Sequence, residues 1–187
     1  MVKKILETER LLLRGVGDKK KDLKDLVEGC SSLNVSKWLL AVPHPYKKSD
    51  AKWWIEHCQH NYRKRKHDGY EFAIELKSES KLIGGIGLSK IKPDQGTATI
   101  GYWINPKYQR KGYGSEALKA VLDFAFNELK LRRIEAEVFV GNPSSGKLLE
   151  KFGAKKEGLK RKAKICKADG KIKDEFVYGL LKEEYKP

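Results

Sequence analysis

A short basic loop carries the clearest chemistry in this sequence. Residues Gln109 to Gly114 read Q-R-K-G-Y-G, and a helical pattern begins directly after them. The glycines let the backbone come close to a ligand, while Arg110 and Lys111 add positive charge. The first amides of the following helix and its dipole would face the same point. The loop therefore predicts a phosphate or pyrophosphate site, although its spacing fits neither a P-loop nor a dinucleotide fingerprint.

A second segment whose residue types could act on a ligand begins at Asn142. It reads N-P-S-S before a short helical pattern that stops at Gly153. Asn142 is typical of a helix cap, proline suits the first helical position, and glycine suits the residue after the end. The hydroxyl of Ser145 lies in the first turn of this helix. It could act on a ligand, or it could simply bond a nearby backbone amide.

The elements around these two segments form a strand–helix–strand unit. Thr97 to Asn105 alternates and is rich in β-branched and aromatic residues, which indicates a strand that Pro106 ends. The helix after the loop has one apolar face, and Ile134 to Val140 alternates as a further strand. Strands joined in this way run parallel. The helix face is formed by Leu118, Val121, Leu122, Ala125 and Leu129.

The rest of the chain predicts antiparallel strands and two more helices. Asp18 is expected to cap the first helix, from about Lys19 to Gly29, and Ser49 to cap the second, which would end in Arg63-Lys64-Arg65-Lys66. We therefore expect one α/β domain over residues 1–187 with a mixed, mostly antiparallel sheet flanked by helices. The remaining predicted strands are Arg10–Arg14, Phe72–Lys77, Leu82–Leu88, and a final pair around a turn at Ala168-Asp169-Gly170.

Three segments together resemble the GNAT N-acetyltransferase superfamily. The loop matches its Q-x-x-G-x-G coenzyme A motif, and Asn142 to Gly153 matches N-x-x-S-x-x-L-x-x-x-G. The opening T-E-R-L-L-L-R, from Thr8 to Arg14, resembles the subgroup that contains the ribosomal-protein N-terminal acetyltransferases. The resemblance implies a fold in which the parallel strand pair splays apart and acetyl-CoA enters the gap.

The same resemblance implies which residues hold acetyl-CoA. The end of the splayed strand would bind the pantetheine arm and polarise the thioester carbonyl through backbone amides, and the basic loop would hold the pyrophosphate. The implied cofactor-binding residues are Trp103, Ile104, Asn105, Gln109, Arg110, Lys111, Gly112, Tyr113, Gly114, Ser115, Asn142 and Ser145.

The catalytic groups follow partly from a departure from the family pattern. Many GNAT enzymes carry an acidic tyrosine four residues after the position of Ser145, where this sequence has Leu149. Ser145 then becomes the candidate proton donor, supported by its cap Asn142, and both are expected to be catalytic. The amine must lose a proton to a base or to a water relay. The base stays open among Glu71, His44, Glu135 and Glu137.

The acceptor is expected to be a protein N-terminal α-amino group, docked beneath the proline- and aromatic-rich stretch from Ser31 to Lys48. For Trp38 itself, a ring that fills the core is the favoured reading, and a place at the acceptor is the other. Two other functions stay open: acetylation of a small amine such as a polyamine or an aminoglycoside, and a non-catalytic module that binds RNA or the ribosome. The candidate acceptor-binding residues are Trp38, His44, Tyr46 and Glu71.

Composition limits the partners. Forty lysines and arginines against 25 acidic residues give a net charge of +15 over 187 residues. This favours contact with a ribosome or another polyanion, or else is only a well-solvated surface. No apolar run approaches the roughly 20 residues that span a membrane, and the N-terminus does not suggest a signal peptide, so a cytoplasmic location is expected. The protein is expected to be a monomer or a homodimer. Three scattered cysteines without C-x-x-C suggest no metal site.

Overall fold

A computed structural model describes residues 4–63 and 68–187. Over these ranges the chain forms eight strands and five α-helices, and a π-helical turn at Phe124–Glu128 continues the fourth helix. The strands are β1 Leu6–Glu7, β2 Leu11–Gly15, β3 Tyr70–Leu76, β4 Lys81–Lys92, β5 Thr97–Ile104, β6 Arg133–Phe139, β7 Lys155–Ile165 and β8 Ile172–Leu181. The helices are α1 Asp22–Cys30, α2 Leu33–Ser36, α3 Lys48–Tyr62, α4 Tyr113–Asp123 and α5 Pro143–Lys151.

All eight strands form one mixed sheet in the order β1-β2-β3-β4-β5-β6-β8-β7. Every neighbouring pair is antiparallel except β5 and β6, which are parallel. The parallel pairing runs only from Thr97 opposite Arg133 to Thr99 opposite Glu135. Beyond that point β5 and β6 continue unpaired with each other, so the two strands separate. The mixed, mostly antiparallel sheet with a splayed parallel pair is thereby confirmed.

The two faces of the sheet are covered by different helices. α4 packs on one face, where Leu118, Val121 and Leu122 are buried against apolar residues of the strands. α1 and α3 cover the other face through a smaller cluster that includes Leu26 and Cys58. The predicted apolar face of α4 is confirmed, except that Leu129, beyond the π-helical turn, is only partly buried. Because side chains alternate along a strand, each side chain of β5 faces one of these two sides of the sheet.

The start of α1 differs from the prediction that Asp18 caps it. The helix begins at Asp22, and its cap position is Lys21, which makes no side-chain capping bond. Asp22 is fully buried because it accepts two hydrogen bonds of 2.7 Å from the guanidinium of Arg14, whose Nε bonds Glu75 at 2.6 Å. This paired and hydrogen-bonded network ties α1 to β2 and β3, and it fixes where the helix begins.

The start of α3 also differs, because Ser49 lies inside the helix and Lys47 is the cap residue. The carboxylate of Asp50, three residues further on, accepts a 2.8 Å bond from the Lys47 backbone N–H. That reach back from the third helical position is one half of a capping box. The predicted basic end of this helix falls on residues 64–67 beyond Arg63, which lie outside the described residues.

The C-terminal half follows its predicted order. Asn142 caps α5, Gly153 lies just after its end with a φ of +97°, and β7 and β8 form the predicted hairpin. The first predicted strand begins one residue later, at Leu11, and a separate two-residue strand precedes it. In the part of the chain that the structure describes, no helix has the length and apolar character to cross a bilayer.

Candidate active site

A cleft of about 530 Å³ opens where β5 and β6 separate. Its walls come from the end of β5, the Gln109–Gly114 loop with the start of α4, the start of α5, and the residues around α2. A groove of about 540 Å³ lies elsewhere, between β1 and α4, and does not include the loop. The separated strands and the glycine loop therefore open onto the same space.

The glycine loop has a backbone that leaves the cleft floor open. Gly112 adopts a φ of +85° as the cap residue of α4, and a Cβ there would lie 3.1 Å from Nη2 of Arg10. A Cβ on Gly114 would lie 3.6 Å from Ile104 and Leu148, whose side chains also border the cleft. A helix leaves its first amides without intrahelical partners. These amides and the two glycines make a cradle that can take a phosphate group, as the sequence predicts for this loop.

The loop is held from behind by the N-terminal segment. Glu116, in the first turn of α4, accepts hydrogen bonds from Thr8 Oγ1 at 2.6 Å, Arg10 N at 2.9 Å and Arg10 Nε at 2.7 Å. Arg10 also donates to the Lys111 carbonyl at 3.1 Å and stacks 4.6 Å above the ring of Tyr113. Burial alone would raise the pKa of Glu116, but the bonds from Thr8 and Arg10 hold it below its usual value. A charged Glu116 thus anchors the segment to the loop.

The start of α5 places a pair of hydroxyl groups at the cleft. The backbone N–H of Ser145 donates to Asn142 Oδ1 at 3.4 Å, which confirms Asn142 as the cap. The Ser145 hydroxyl lies 3.0 Å from Oη of Tyr102, which also lies 3.2 Å from the Ser145 carbonyl oxygen. Burial raises the pKa of Tyr102 to about 12 against the opposing effect of the Ser145 bond. The tyrosine hydroxyl therefore stays protonated near neutral pH.

Tyr102 is a functional candidate that the sequence analysis missed. On β5, Tyr102 shares one face with Ile100 and Ile104. The sequence signal that could have identified it is a single hydroxyl side chain between two apolar ones on that face. Leu149, at the position of the usual family tyrosine, is buried in the core beneath α5. The phenol that lies beside Ser145 therefore comes from β5 and not from α5.

One candidate base lies on the opposite face of the sheet. Glu71 on β3 extends over Gly87 of β4, where a Cβ would lie 2.2 Å from its Oε2. Gly87 pairs with Gly101 of β5, which lines the cleft, and a Cβ on Gly101 would meet nothing within 4 Å. The carboxyl of Glu71 thus lies over Gly87, one strand away from the open space above Gly101. Burial raises its pKa to about 7.

The other candidate bases are less available. Glu135 accepts a 3.0 Å bond from Nε of Arg133. Glu137 lines the cleft but bonds Lys160 at 2.6 Å, and that bond holds its pKa below the usual range. His44 is exposed and does not border the cleft. Among the four carboxyl and imidazole candidates, Glu71 combines burial with a raised pKa.

The acceptor side is formed by α2 and the residues after it. Trp38 is partly buried and lines the cleft, with its ring 3.4 Å from where a Cβ on Gly141 would lie. Nζ of Lys173 lies 5.6 Å from the same ring and donates to the Lys37 carbonyl at 2.6 Å. Tyr46 instead packs in the cluster beneath α1 and α3, away from the cleft. The segment after α2 therefore contributes Trp38 rather than Tyr46.

The cleft brings together eleven of the site residues named from the sequence. They are Trp38, Trp103, Ile104, Gln109, Arg110, Gly112, Gly114, Ser115, Glu137, Asn142 and Ser145. The ring of Trp103 fills space left by Gly29 and Gly85. Gln109 turns its amide back to the Ile104 carbonyl at 2.9 Å.

Seven named residues lie outside the cleft wall. Asn105 is buried and its Oδ1 accepts from the Lys107 backbone N–H at 3.1 Å, which is a structural role at the end of β5. The other six are Lys111, Tyr113, His44, Tyr46, Glu71 and Glu135. Further wall residues come from the stretch Ser31 to Lys48 that was predicted to cover the acceptor; they are Asn34, Val35, Leu39 and Leu40 around α2. Within the described ranges, no group of three or more His, Cys, Asp or Glu side chains is placed to hold a metal ion.

Comparisons with known proteins point to one family. Residues 10–155 match the family described as acetyltransferase (GNAT) domain. The chain is 35% identical over 183 residues to the uncharacterized N-acetyltransferase p20 of Bacillus licheniformis, covering 96% of this chain and 97% of that protein. A solved GNAT-family acetyltransferase of Bacillus anthracis superposes with a TM-score of 0.81 at 30% identity, covering 97% and 100% of the two chains. The ribosomal-protein-serine acetyltransferase of Escherichia coli is 33% identical over 97 residues, 52% of this chain and 54% of that one.

Proposed function

Because the chain belongs to the GNAT acetyltransferase family, we propose that it transfers the acetyl group of acetyl-CoA to the α-amino group of a protein N-terminus, such as that of a ribosomal protein. The observation that carries the proposal is the cleft itself. It joins the glycine loop, the gap between β5 and β6, and the Ser145 hydroxyl in one space. A phosphate cradle, a slot for an extended arm and a proton donor are the three parts that such a transfer needs.

The residues of the cleft fit acetyl-CoA. Acetyl-CoA supplies an activated acyl group, as a thioester, when it is bound. The cradle around Gly112 and Gly114 leaves room for its pyrophosphate, and the amides at the start of α4 provide the hydrogen bonds. Arg110 lines the same wall and adds charge. Trp103 and Ile104, at the end of β5, border the gap left by the separated strands, where the arm would lie.

Two groups carry the two proton transfers, one from the amine and one to the sulfur. Glu71 takes the proton that the attacking amine must lose, because its pKa of about 7 lets it accept a proton near neutral pH. It acts across the open space above Gly101, directly or through one water. On the far side of the sheet, Ser145 donates a proton to the departing sulfur. One proton leaves the amine and one arrives at sulfur, so the reaction is balanced.

The acceptor side supports a peptide rather than a polyamine. The wall near α2 is largely apolar, with Val35, Trp38, Leu39 and Leu40, which suits the first side chain of a peptide. The carboxylate of Glu137 in the same wall is already neutralised by Lys160. A net charge of +15 also repels polycations at long range. The partial match to a ribosomal-protein-serine acetyltransferase supports the same acceptor class.

The test is a panel of acceptors assayed for acetyl-CoA-dependent thiol release. One peptide sequence is offered with a free and with a blocked N-terminus, each lacking lysine, beside spermidine and an aminoglycoside. We expect turnover with the free peptide alone. Robust turnover of spermidine with none of any free peptide would overturn the acceptor assignment. A melting temperature that acetyl-CoA does not raise would favour the non-catalytic RNA-binding module instead.

A further inference from the structure

We infer that Tyr102 is a positioning residue for the transfer, acting through Ser145 by donating its hydroxyl proton to the Ser145 oxygen. The inference rests on the proposed function and adds a residue to it. Its basis is the 3.0 Å contact between Tyr102 Oη and Ser145 Oγ, at the wall where the cleft meets α5.

The direction of the hydrogen bonds follows from what each atom can do. A hydroxyl has one proton to donate and two lone pairs that accept. A sulfur that gains negative charge can only accept, so Ser145 must spend its single proton on it. The Ser145 oxygen then accepts from Tyr102, and the chain runs from Tyr102 to Ser145 to sulfur. Hydrogen bonds aligned in one direction strengthen one another.

The surroundings hold both hydroxyl groups in place. Ser145 is fixed by its backbone bond to Asn142 Oδ1 at 3.4 Å, in the first turn of α5. Tyr102 is fixed on β5, and its hydroxyl also donates to the Ser145 carbonyl oxygen at 3.2 Å. Its one proton is therefore shared between that carbonyl and Ser145 Oγ, which is the nearer acceptor at 3.0 Å. Without Tyr102, the serine hydroxyl could turn its proton toward a nearby backbone carbonyl, as helical serines do. Tyr102 therefore sets the direction in which Ser145 donates.

The step balances in atoms and electrons. The amine nitrogen forms a bond to the acyl carbon while the carbon–sulfur bond breaks, and its electron pair stays on sulfur. Ser145 Oγ gives its proton to that sulfur, Tyr102 Oη replaces the proton on Ser145, and solvent water returns one to Tyr102. The amine proton has gone to the base.

The kinetic test is a cycle of Tyr102→Phe, Ser145→Ala and the double variant. Phenylalanine keeps the ring and removes only the hydroxyl. We expect each single change to lower kcat about 10-fold, at the lower end of what general acids contribute, with an unchanged KM for acetyl-CoA. The double variant should be no slower than Ser145→Ala, because Tyr102 acts through Ser145. A kcat within twofold of the parent for Tyr102→Phe, or fully additive losses, would overturn the inference.

A binding test needs no turnover. Coenzyme A and its desulfo analogue differ only at the sulfur, and a thiol ionises near pH 8.5. At pH 9 the parent should prefer coenzyme A by several-fold, and Tyr102→Phe should lose that preference. Equal preference in both proteins would contradict the inference. As a matched control, Tyr185→Phe removes a phenol that bonds Asp123, remote from the cleft, and should leave both ligand affinities unchanged.

Failure of this inference is separable from failure of the proposed function. A parent protein that acetylates no amine would sink the proposed function. An active parent whose Tyr102→Phe variant matches it in the cycle and in the binding test would sink only the role of Tyr102. If Tyr102→Phe does not fold, 3-fluorotyrosine at position 102 keeps the shape and lowers the pKa of the phenol. Its kcat should then fall at a lower alkaline pH than that of the parent, and an unshifted profile would contradict the inference.

Discussion

Nε of Arg10 lies 2.7 Å from Oε2 of Glu116, and this ion pair joins the N-terminal segment to the first turn of α4. The same guanidinium donates to the carbonyl of Lys111 inside the glycine loop. The backbone N–H of Arg10 and the hydroxyl of Thr8 bond the other oxygen of Glu116. The T-E-R start of the chain thus supports the loop that we assign to the cofactor.

Replacing Arg10 by glutamine should therefore weaken acetyl-CoA binding more than it slows turnover. The variant loses the bond to Lys111 and leaves Glu116 without its cation, so the loop is less well held. We expect the KM for acetyl-CoA to rise about 3- to 10-fold, a loss of roughly 1 kcal/mol, with kcat nearly unchanged. Arg132→Gln, directly before β6, removes a bond to the Gln95 carbonyl away from the loop; it is the control and should change neither constant. A variant of Arg10 with the parent KM would show that the contact is only structural.

Gly114→Ala should separate cofactor binding from stability. A Cβ at this position meets only ordinary contacts at 3.6 Å, and alanine favours a helix, so the free energy of unfolding should not fall. The same methyl group narrows the cradle, and acetyl-CoA affinity should fall roughly tenfold, about 1.4 kcal/mol. Titration calorimetry and a thermal melt measure the two effects. Gly158→Ala, on an edge strand with nothing within 4 Å, is the matched control.

Gly112→Ala should lower both quantities. Its φ of +85° is left-handed, and a side chain there costs about 1–2 kcal/mol in stability. The new Cβ would also approach Arg10 to 3.1 Å. Undiminished acetyl-CoA affinity in both the Gly112 and the Gly114 variants would refute the placement of the pyrophosphate.

Asn142→Ala should cost about 1 kcal/mol of stability, because the Ser145 amide loses the oxygen that caps it. Turnover should fall as well, since the same bond fixes the backbone of Ser145. Asn142→Ser keeps a capping oxygen and should retain most of the stability. An unchanged melting temperature together with full activity in Asn142→Ala would count against this double role.

With Glu71 as the base, both the reaction rate and the free energy of unfolding should depend on pH. Burial raises its pKa from 4.5 to about 7, so the rate constant kcat/KM should rise with pH through about 7 and then level off. Because the folded pKa is raised, its contribution to stability is full below about pH 4.5 and is lost as pH rises through about 7. Glu71→Gln should remove the rise in rate and should gain stability relative to the parent over that range. A parent profile that is flat from pH 5 to 9 would exclude Glu71 as the base, and Glu183→Gln serves as an exposed control.

The sequence predicted the parts of the site that depend on neighbours along the chain. The cap at Asn142, the glycine loop before α4 and the strand that precedes it are all coded within a few residues. Their shared cleft then followed from the parallel pairing of β5 with β6.

The missed contacts join residues that are distant in sequence. Tyr102 and Ser145 are 43 positions apart, and Arg10 and Glu116 are 106 apart. Such contacts depend on strand register and on which face a side chain takes, which a single sequence does not specify beyond its alternation. The prediction that Asp18 caps α1 was wrong for a related reason. The helix begins at Asp22 because that carboxylate pairs with the buried guanidinium of Arg14, which lies eight residues earlier on β2.

The most direct test of the account is mass spectrometry of a peptide incubated with the protein and acetyl-CoA carrying a heavy-isotope acetyl group. We predict one labelled acetyl group per peptide, located on the N-terminal nitrogen. The rate should fall about 10-fold in Ser145→Ala while acetyl-CoA still binds. Tight binding of acetyl-CoA with no label on any peptide or small amine would contradict the central claim that this cleft transfers the acetyl group to an amine.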